Sequence, residues 1–414
     1  MMSPDRGQRP RSPISGLLAM IGTRGLDQIA LGGASLLIAR RTGTEDFAPF
    51  ATVFILYALS AQVGDGGLAF AVLRSPSTAR LDSRARMRRL TVGLVLAGLC
   101  AAIGVAIGGS SGVVVAFAGV SFVTAPAVFV GRAALQWSDE KGRLALGEGA
   151  GAVAFLAATV ALVHTAEDLP LFVLICIGKH AIELAVQGLS HAVFATGGST
   201  VRSSGIFVSQ AVTYVAANVD YLLVGMLLGA EALSVYAIGF GLASAFSSIV
   251  VAPLTRTAFV DFANTSDESG EHDRLLRKIA VFGLIGVITT MVAASVLPVV
   301  LGPGWEDTRR VTAVLGLALP WRLLLGPVVA LGLTMGSARR VILWEIVRTA
   351  ALAAAIVAGS ASLDRVAGAV SSATILTVGW AYRRAAVTAG IRPSKRLTTA
   401  GFVVAALAMA FVAV

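Results

Sequence analysis

A chain of 414 residues that is 56% hydrophobic and only 14% charged cannot bury its apolar surface as a soluble domain does, where about 45 to 50% and about 25% are usual. Its formal charge of +10 is read through membrane topology first, and no nucleic-acid partner is expected. The two cysteines, Cys100 and Cys176, each sit in an apolar run, which excludes a disulfide framework and a clustered metal site; no cofactor is expected.

Met1 to Arg11 is basic and leads into a full-length apolar run without a small-residue cleavage pattern, so a retained first helix is expected rather than a removed signal peptide. A run of about 20 apolar residues crosses the hydrocarbon core as a helix. In chain order such runs lie near 14–39, 46–72, 89–108, 112–136, 143–164 and 168–195. A second set follows near 202–229, 231–258, 276–302, 309–337, 340–360 and 364–384. The stretch 398–414 is short for a span, so twelve to thirteen crossings are expected of an all-α polytopic membrane protein.

Basic residues test this map, because they are retained on the cytoplasmic side. With the N-terminus cytoplasmic, the outer segments hold only Arg40, Arg41, Arg309, Arg310 and Arg365. Arg24, Lys179, Arg322 and Arg348 lie within spans, and every other arginine and lysine falls on an inner segment. The expectation is a multi-pass protein of the cell (inner) membrane, its basic charge accounted for by topology.

The first and seventh spans end alike. Gly43, Glu45, Phe50 and Ala51 match Gly229, Glu231, Tyr236 and Ala237 without gaps, each set joining the first helix of six to the second. Six is even, so the copies share one orientation. The architecture expected is two six-helix lobes related by a pseudo-two-fold axis along the membrane normal. The corresponding division is a basic N-terminus (1–13), a first lobe (14–195), a linker (196–201), a second lobe (202–388) and a basic loop with a candidate extra helix (389–414).

Ionisable residues within spans face the bundle interior or a wet cavity, because lipid does not solvate them. Arg24 and Asp27 lie three apart in the first span, Lys179 and Glu183 four apart in the sixth, and Glu345 and Arg348 three apart in the eleventh, spacings that allow local pairing. Arg322 has no acid within four residues, and Pro320 and Pro327 around it imply a kink. Asp220 in the seventh span is equally unpaired locally, so an Asp220 to Arg322 salt bridge is one structural account of both. Asp65 and Glu148, near span ends, read as structural, and Gly104-x-x-x-Gly108 and Gly147-x-x-x-Gly151 receive no function in so glycine-rich a chain. His164, His180, His191 and His272 are scattered and no Gly-x-x-x-x-Gly-Lys loop occurs, so no enzyme is expected.

Three stretches carry a family resemblance: Leu36 to Phe47 with Asp65 to Arg74; Asn218 to Ala237 continuing into Pro253 to Arg256; and Leu301-Gly-Pro-Gly-Trp-Glu306 with Met335 to Arg339. In this order and spacing the chain resembles the Wzx-type polysaccharide flippases, within the superfamily that also holds the multidrug and toxic-compound extruders and the lipid II flippase. The resemblance implies a flippase that moves an undecaprenyl-pyrophosphate-linked oligosaccharide to the outer leaflet. Membrane lipids would be its surroundings, and glycan polymerase and glycosyltransferases its candidate partners. On that reading Arg24, Lys179 and Arg322 contact the anionic head, and Asp27, Glu183 and Asp220 tune or couple it. Two alternatives stay open, a multidrug or cation exporter of the same superfamily and a non-transporting scaffold of glycan assembly.

Overall fold

The computed structural model describes residues 13–65, 83–137, 141–187, 218–264, 268–334 and 338–388 together with Val404, and among these every regular element is helical. In chain order the α-helices are α1 Pro13–Asp46, α2 Ala48–Asp65, α3 Ser83–Ile107, α4 Gly109–Ala118, α5 Ser121–Trp137, α6 Lys141–Leu162 and α7 Leu169–Gln187. They continue with α8 Asn218–Leu228, α9 Ala230–Asn264, α10 Glu268–Leu301, α11 Asp307–Gly316, α12 Leu319–Thr334, α13 Ala338–Gly359 and α14 Leu363–Thr388. Lipid offers the backbone no hydrogen-bond partner, so helices that satisfy themselves are what an apolar chain of this kind must form.

Each of the twelve expected spans meets a helix, or a broken pair of helices, at its expected place. The protein is a multi-pass membrane protein of two lobes, α1–α7 and α8–α14. Residues 1–12, the linker 196–201 and, Val404 apart, the stretch 398–414 lie outside the described residues. The kink expected around Arg322 is a full break: α11 and α12 meet at 44° across Leu317 and Ala318. Pro320 then falls in the first turn of a new helix, where its missing N–H costs nothing, while α12 continues through Pro327.

The repeat is visible in the backbone. Gly43 and Gly229 both take the left-handed region, at φ 79° and 90°, and each turns the first helix of its lobe into the second. Phe50 and Tyr236, the matched aromatics, are both fully buried. A β-branched side chain in this region is strained by about 1 to 3 kcal/mol, so Gly229→Val is expected to destabilise the second lobe by that amount. Unfolding in mixed detergent micelles reads it, and an unchanged midpoint would mean that the turn has an alternative conformation.

The lobes are joined at the end where α1 meets α2. Arg40 Nη1 donates to the Val300 carbonyl at the end of α10 at 3.0 Å. Phe47 packs edge-on against Trp305 with centroids 5.9 Å apart, and Gly302 and Gly304, both left-handed, shape the loop that delivers this buried tryptophan. Arg41 donates to the Val160 carbonyl at 3.0 Å and to that of Val163, capping α6, and Arg310 pairs with Asp364 at 3.0 Å. Three of the five basic residues assigned to the outer side thus tie one helix to another.

The largest group of buried apolar residues crosses between lobes near this end, from Ala34 and Ile38 of α1 to Val235 and Ile238 of α9 and Leu315 of α11. The remaining groups stay within one lobe, around Cys100 and Phe122 in the first and around Leu254, Leu324 and Tyr382 in the second. Among the described residues the two lobes are therefore sealed together at one end and keep separate cores toward the other.

Candidate functional site

In the first lobe five ionisable side chains from four helices form an alternating row. Lys179 on α7 donates to Glu183 one turn later at 2.6 Å and reaches Asp27 of α1 at 2.9 Å. Glu183 accepts from Arg132 of α5 at 2.6 Å, and Arg132 Nη1 lies 3.3 Å from Glu148 of α6. The pairing of Lys179 with Glu183 follows from their spacing, whereas Asp27 looks across to another helix. Arg24 is on α1 with Asp27, and its side chain lies outside what is described.

Sequence reading set Arg132 on an inner segment and Glu148 at a structural span end. The structure buries both, and Arg132 supplies the second cation that two buried carboxylates and the half-buried Asp27 require. Charge balance was the usable signal, since Lys179 alone cannot meet Asp27, Glu148 and Glu183 in a lipid-surrounded lobe. His180, beside Lys179, shares a hydrogen bond with the Thr124 hydroxyl at 2.9 Å and stacks on the Tyr57 ring at 4.8 Å.

The glycines of Gly147-x-x-x-Gly151 are what let α7 seat this row. A Cβ on Gly151 would stand 2.7 Å from Glu183 Cγ, and one on Gly147 would stand 3.1 Å from Gln187 Cγ. Of the other spacing only Gly104 makes a close crossing, against the backbone of Gly112, where a Cβ would meet the carbonyl oxygen at 2.3 Å, while Gly108 takes the left-handed turn between α3 and α4. Gly151→Val is expected to cost about 1 to 3 kcal/mol by overpacking and to push the Glu183 carboxylate off Lys179 and Arg132. Gly151→Val combined with Glu183→Ala should lose less than the two singles together, and full additivity would show that the glycine serves another contact.

The second lobe holds charge differently. Asp220 on α8 and Arg322 in the first turn of α12 form no salt bridge, which corrects the structural account read from sequence. Asp220 Oδ2 instead accepts from the Tyr236 hydroxyl at 2.7 Å and Oδ1 from the Tyr221 backbone N–H at 3.1 Å. The Arg322 guanidinium lies over the Phe240 ring at 4.3 Å, and its buried Nη1 has no hydrogen-bond partner. Tyr221, Tyr236 and Phe240 form one aromatic group with centroids 5.1 to 5.7 Å apart. On α13, Glu345 and Arg348 pair at 2.6 Å, as their spacing implies.

Chemically the two lobes differ in what they leave available. In the first, Lys179 and Arg132 each sit between two carboxylates. In the second, the planar donor fork of Arg322 is fixed by stacking with its buried Nη1 unbonded, the arrangement that suits a phosphate or carboxylate oxygen.

Comparison with known proteins agrees with this picture. A family model described as polysaccharide biosynthesis protein matches residues 199–310, a stretch that holds Asp220, the three aromatic residues and Trp305. No curated protein matches the sequence. Among solved structures, an outward-facing multidrug resistance MATE family transporter of the MOP superfamily superposes with a TM-score of 0.65 at 13% identity, over 91% of this chain and 97% of that one. A MATE in complex with MaL6 gives 0.69 at 12% identity, over 91% and 97%. The lipid II flippase MurJ in an inward closed conformation gives 0.68 at 10% identity, over 97% and 98%. The resemblance read from the sequence is borne out in the fold, which is that of the MATE transporters and MurJ, and in residues 199–310, which match the polysaccharide biosynthesis model.

Proposed function

We propose that this protein is a flippase that carries an undecaprenyl-pyrophosphate-linked oligosaccharide from the cytoplasmic to the outer leaflet by alternating access. The observation that carries the reading is Arg322, half-buried and stacked on Phe240, whose buried Nη1 has no hydrogen-bond partner and which has no acid paired to it. An anionic head group meets that need, and the prenyl tail stays in lipid while the glycan crosses between the lobes. With the N-terminus cytoplasmic, the sealed end at Arg40, Phe47 and Trp305 faces outward, and the head enters from the opposite side. Lys179, Asp27 and Glu183 serve as the fixed framework against which the second lobe moves, with Arg24 on the same face of α1 as Asp27.

A multidrug exporter of cations needs an acid free to meet its cargo. The buried acids described here and the half-buried Asp27 are engaged, Asp27, Glu148, Glu183 and Glu345 with bases and Asp220 with two donors. That observation favours the flippase. Depleting the protein in its host and extracting lipid-linked intermediates tests it. Accumulation of a complete oligosaccharide on its pyrophosphate carrier at the cytoplasmic leaflet is expected. Unchanged intermediates with new drug susceptibility would replace the flippase by the exporter. Truncated intermediates would point to a scaffold for glycosyltransferases and the polymerase.

A further inference from the structure

The Arg322 site poses a physical problem that the surrounding residues solve. Asp220 and Arg322 are held by one aromatic group: Tyr236 donates to Asp220 and packs against Phe240, which carries Arg322. In a low-dielectric interior such a pair should collapse into a salt bridge, because a direct ion pair far outweighs neutral contacts there. They remain apart. The Asp220 oxygens are spoken for by the Tyr236 hydroxyl at 2.7 Å and the Tyr221 N–H at 3.1 Å, and Tyr236 is itself fully buried and packed at 5.7 Å against the ring that carries Arg322.

We infer that Tyr236 is a positioning residue that holds the Asp220 carboxylate away from Arg322, so that the guanidinium stays open to an anionic ligand. The inference rests on the reading of Arg322 as the head-group contact and adds the device that keeps it available. The turn at Gly229 makes the arrangement possible. It folds α9 back on α8, so Asp220 and Tyr236, about two helical turns to either side, come side by side. Phe240, one turn beyond Tyr236, then receives the guanidinium on its face. Removing the hydroxyl leaves Asp220 Oδ2 without its donor, and among the described residues Arg322, on the ring next to Tyr236, is the cation placed to replace it. The site would close on itself.

The consequence is a pattern of effects that a merely structural tyrosine would not produce. The probe is tritiated geranylgeranyl pyrophosphate, binding to the full-length protein purified in detergent, with size-exclusion profiles to confirm folding. Arg322→Gln is expected to weaken binding about tenfold or more, the loss of one charge-assisted contact. Tyr236→Phe is expected to weaken it by about the same factor, because the freed carboxylate occupies the guanidinium. Asp220→Asn alone should bind as tightly as the unaltered protein or more tightly. Tyr236→Phe with Asp220→Asn should return to within about threefold of it, since the competing charge is gone.

Rescue by Asp220→Asn is the decisive reading. If Arg322→Gln weakens binding but Tyr236→Phe does not, or if the double variant binds no better than folded Tyr236→Phe, the positioning role is overturned while the Arg322 assignment stands. Loss of binding in folded Asp220→Asn also overturns it, and covers the case in which Tyr236→Phe does not fold. If Arg322→Gln binds as the unaltered protein does, the head-group assignment fails and this inference falls with it.

Discussion

Replacing Glu183 with alanine is expected to destabilise the protein by about 3 to 5 kcal/mol, the penalty for leaving buried charges without their counterion. Glu183 is fully buried and bridges Lys179 and Arg132 at 2.6 Å each. Its removal strands two cations that lipid and apolar helices cannot solvate, and Asp27 and Glu148 remain to hold only the far side of each. Equilibrium unfolding in mixed SDS micelles would read the loss directly, and the amount of protein in the membrane should fall with it. Glu183→Gln should lose less, since the amide still offers an oxygen to one of the two donors. A loss under about 1 kcal/mol for the alanine variant would mean that the row rearranges or hydrates, and its role as a rigid framework would be given up.

Arg322→Gln should act on transport rather than on folding. Truncating a buried charged contact to a ligand costs about 2 to 5 kcal/mol, or roughly thirtyfold and upward in affinity. Because Arg322 makes no ion pair that its loss would orphan, membrane levels should hold. The assay is export of the cell's glycan at matched protein abundance, with cytoplasmic-leaflet intermediates counted in parallel. Arg322→Lys is expected to restore little, since an ammonium cannot lie flat on Phe240 while presenting a planar fork. Export at the unaltered rate in the glutamine variant would remove Arg322 from the substrate path.

Much of the fold was legible in the sequence for a simple reason: in lipid, hydropathy and basic-residue placement leave few solutions. The repeat was legible because Gly43 and Gly229 occupy backbone conformations that side chains resist, which keeps the surrounding pattern recognisable. What local spacing conceals is any contact between helices. Lys179 and Glu183 were seen as a pair, but Asp27 and Arg132 join them from α1 and α5, and Arg132 lay too near a span end to be separated from topology signals.

The same limit applies to Asp220. Its partner Tyr236 sits across the Gly229 turn, about two helical turns beyond it, a placement that could have been read from the hairpin, yet hydropathy carries no sign of which hydroxyl meets which acid. The role of Gly147 and Gly151 was hidden by abundance. With 45 glycines in the chain, only the approach of Glu183 and Gln187 distinguishes these two from the rest.

The matched turns at Gly43 and Gly229 carry a further consequence. Two halves hinged alike but filled unlike, one cross-braced by ions and the other carrying rings beneath an unpaired guanidinium, would not greet a passenger equally. A polar molecule between them would have one preferred way round, so the unlike filling of the halves, rather than their shared shape, would set the heading of the cargo.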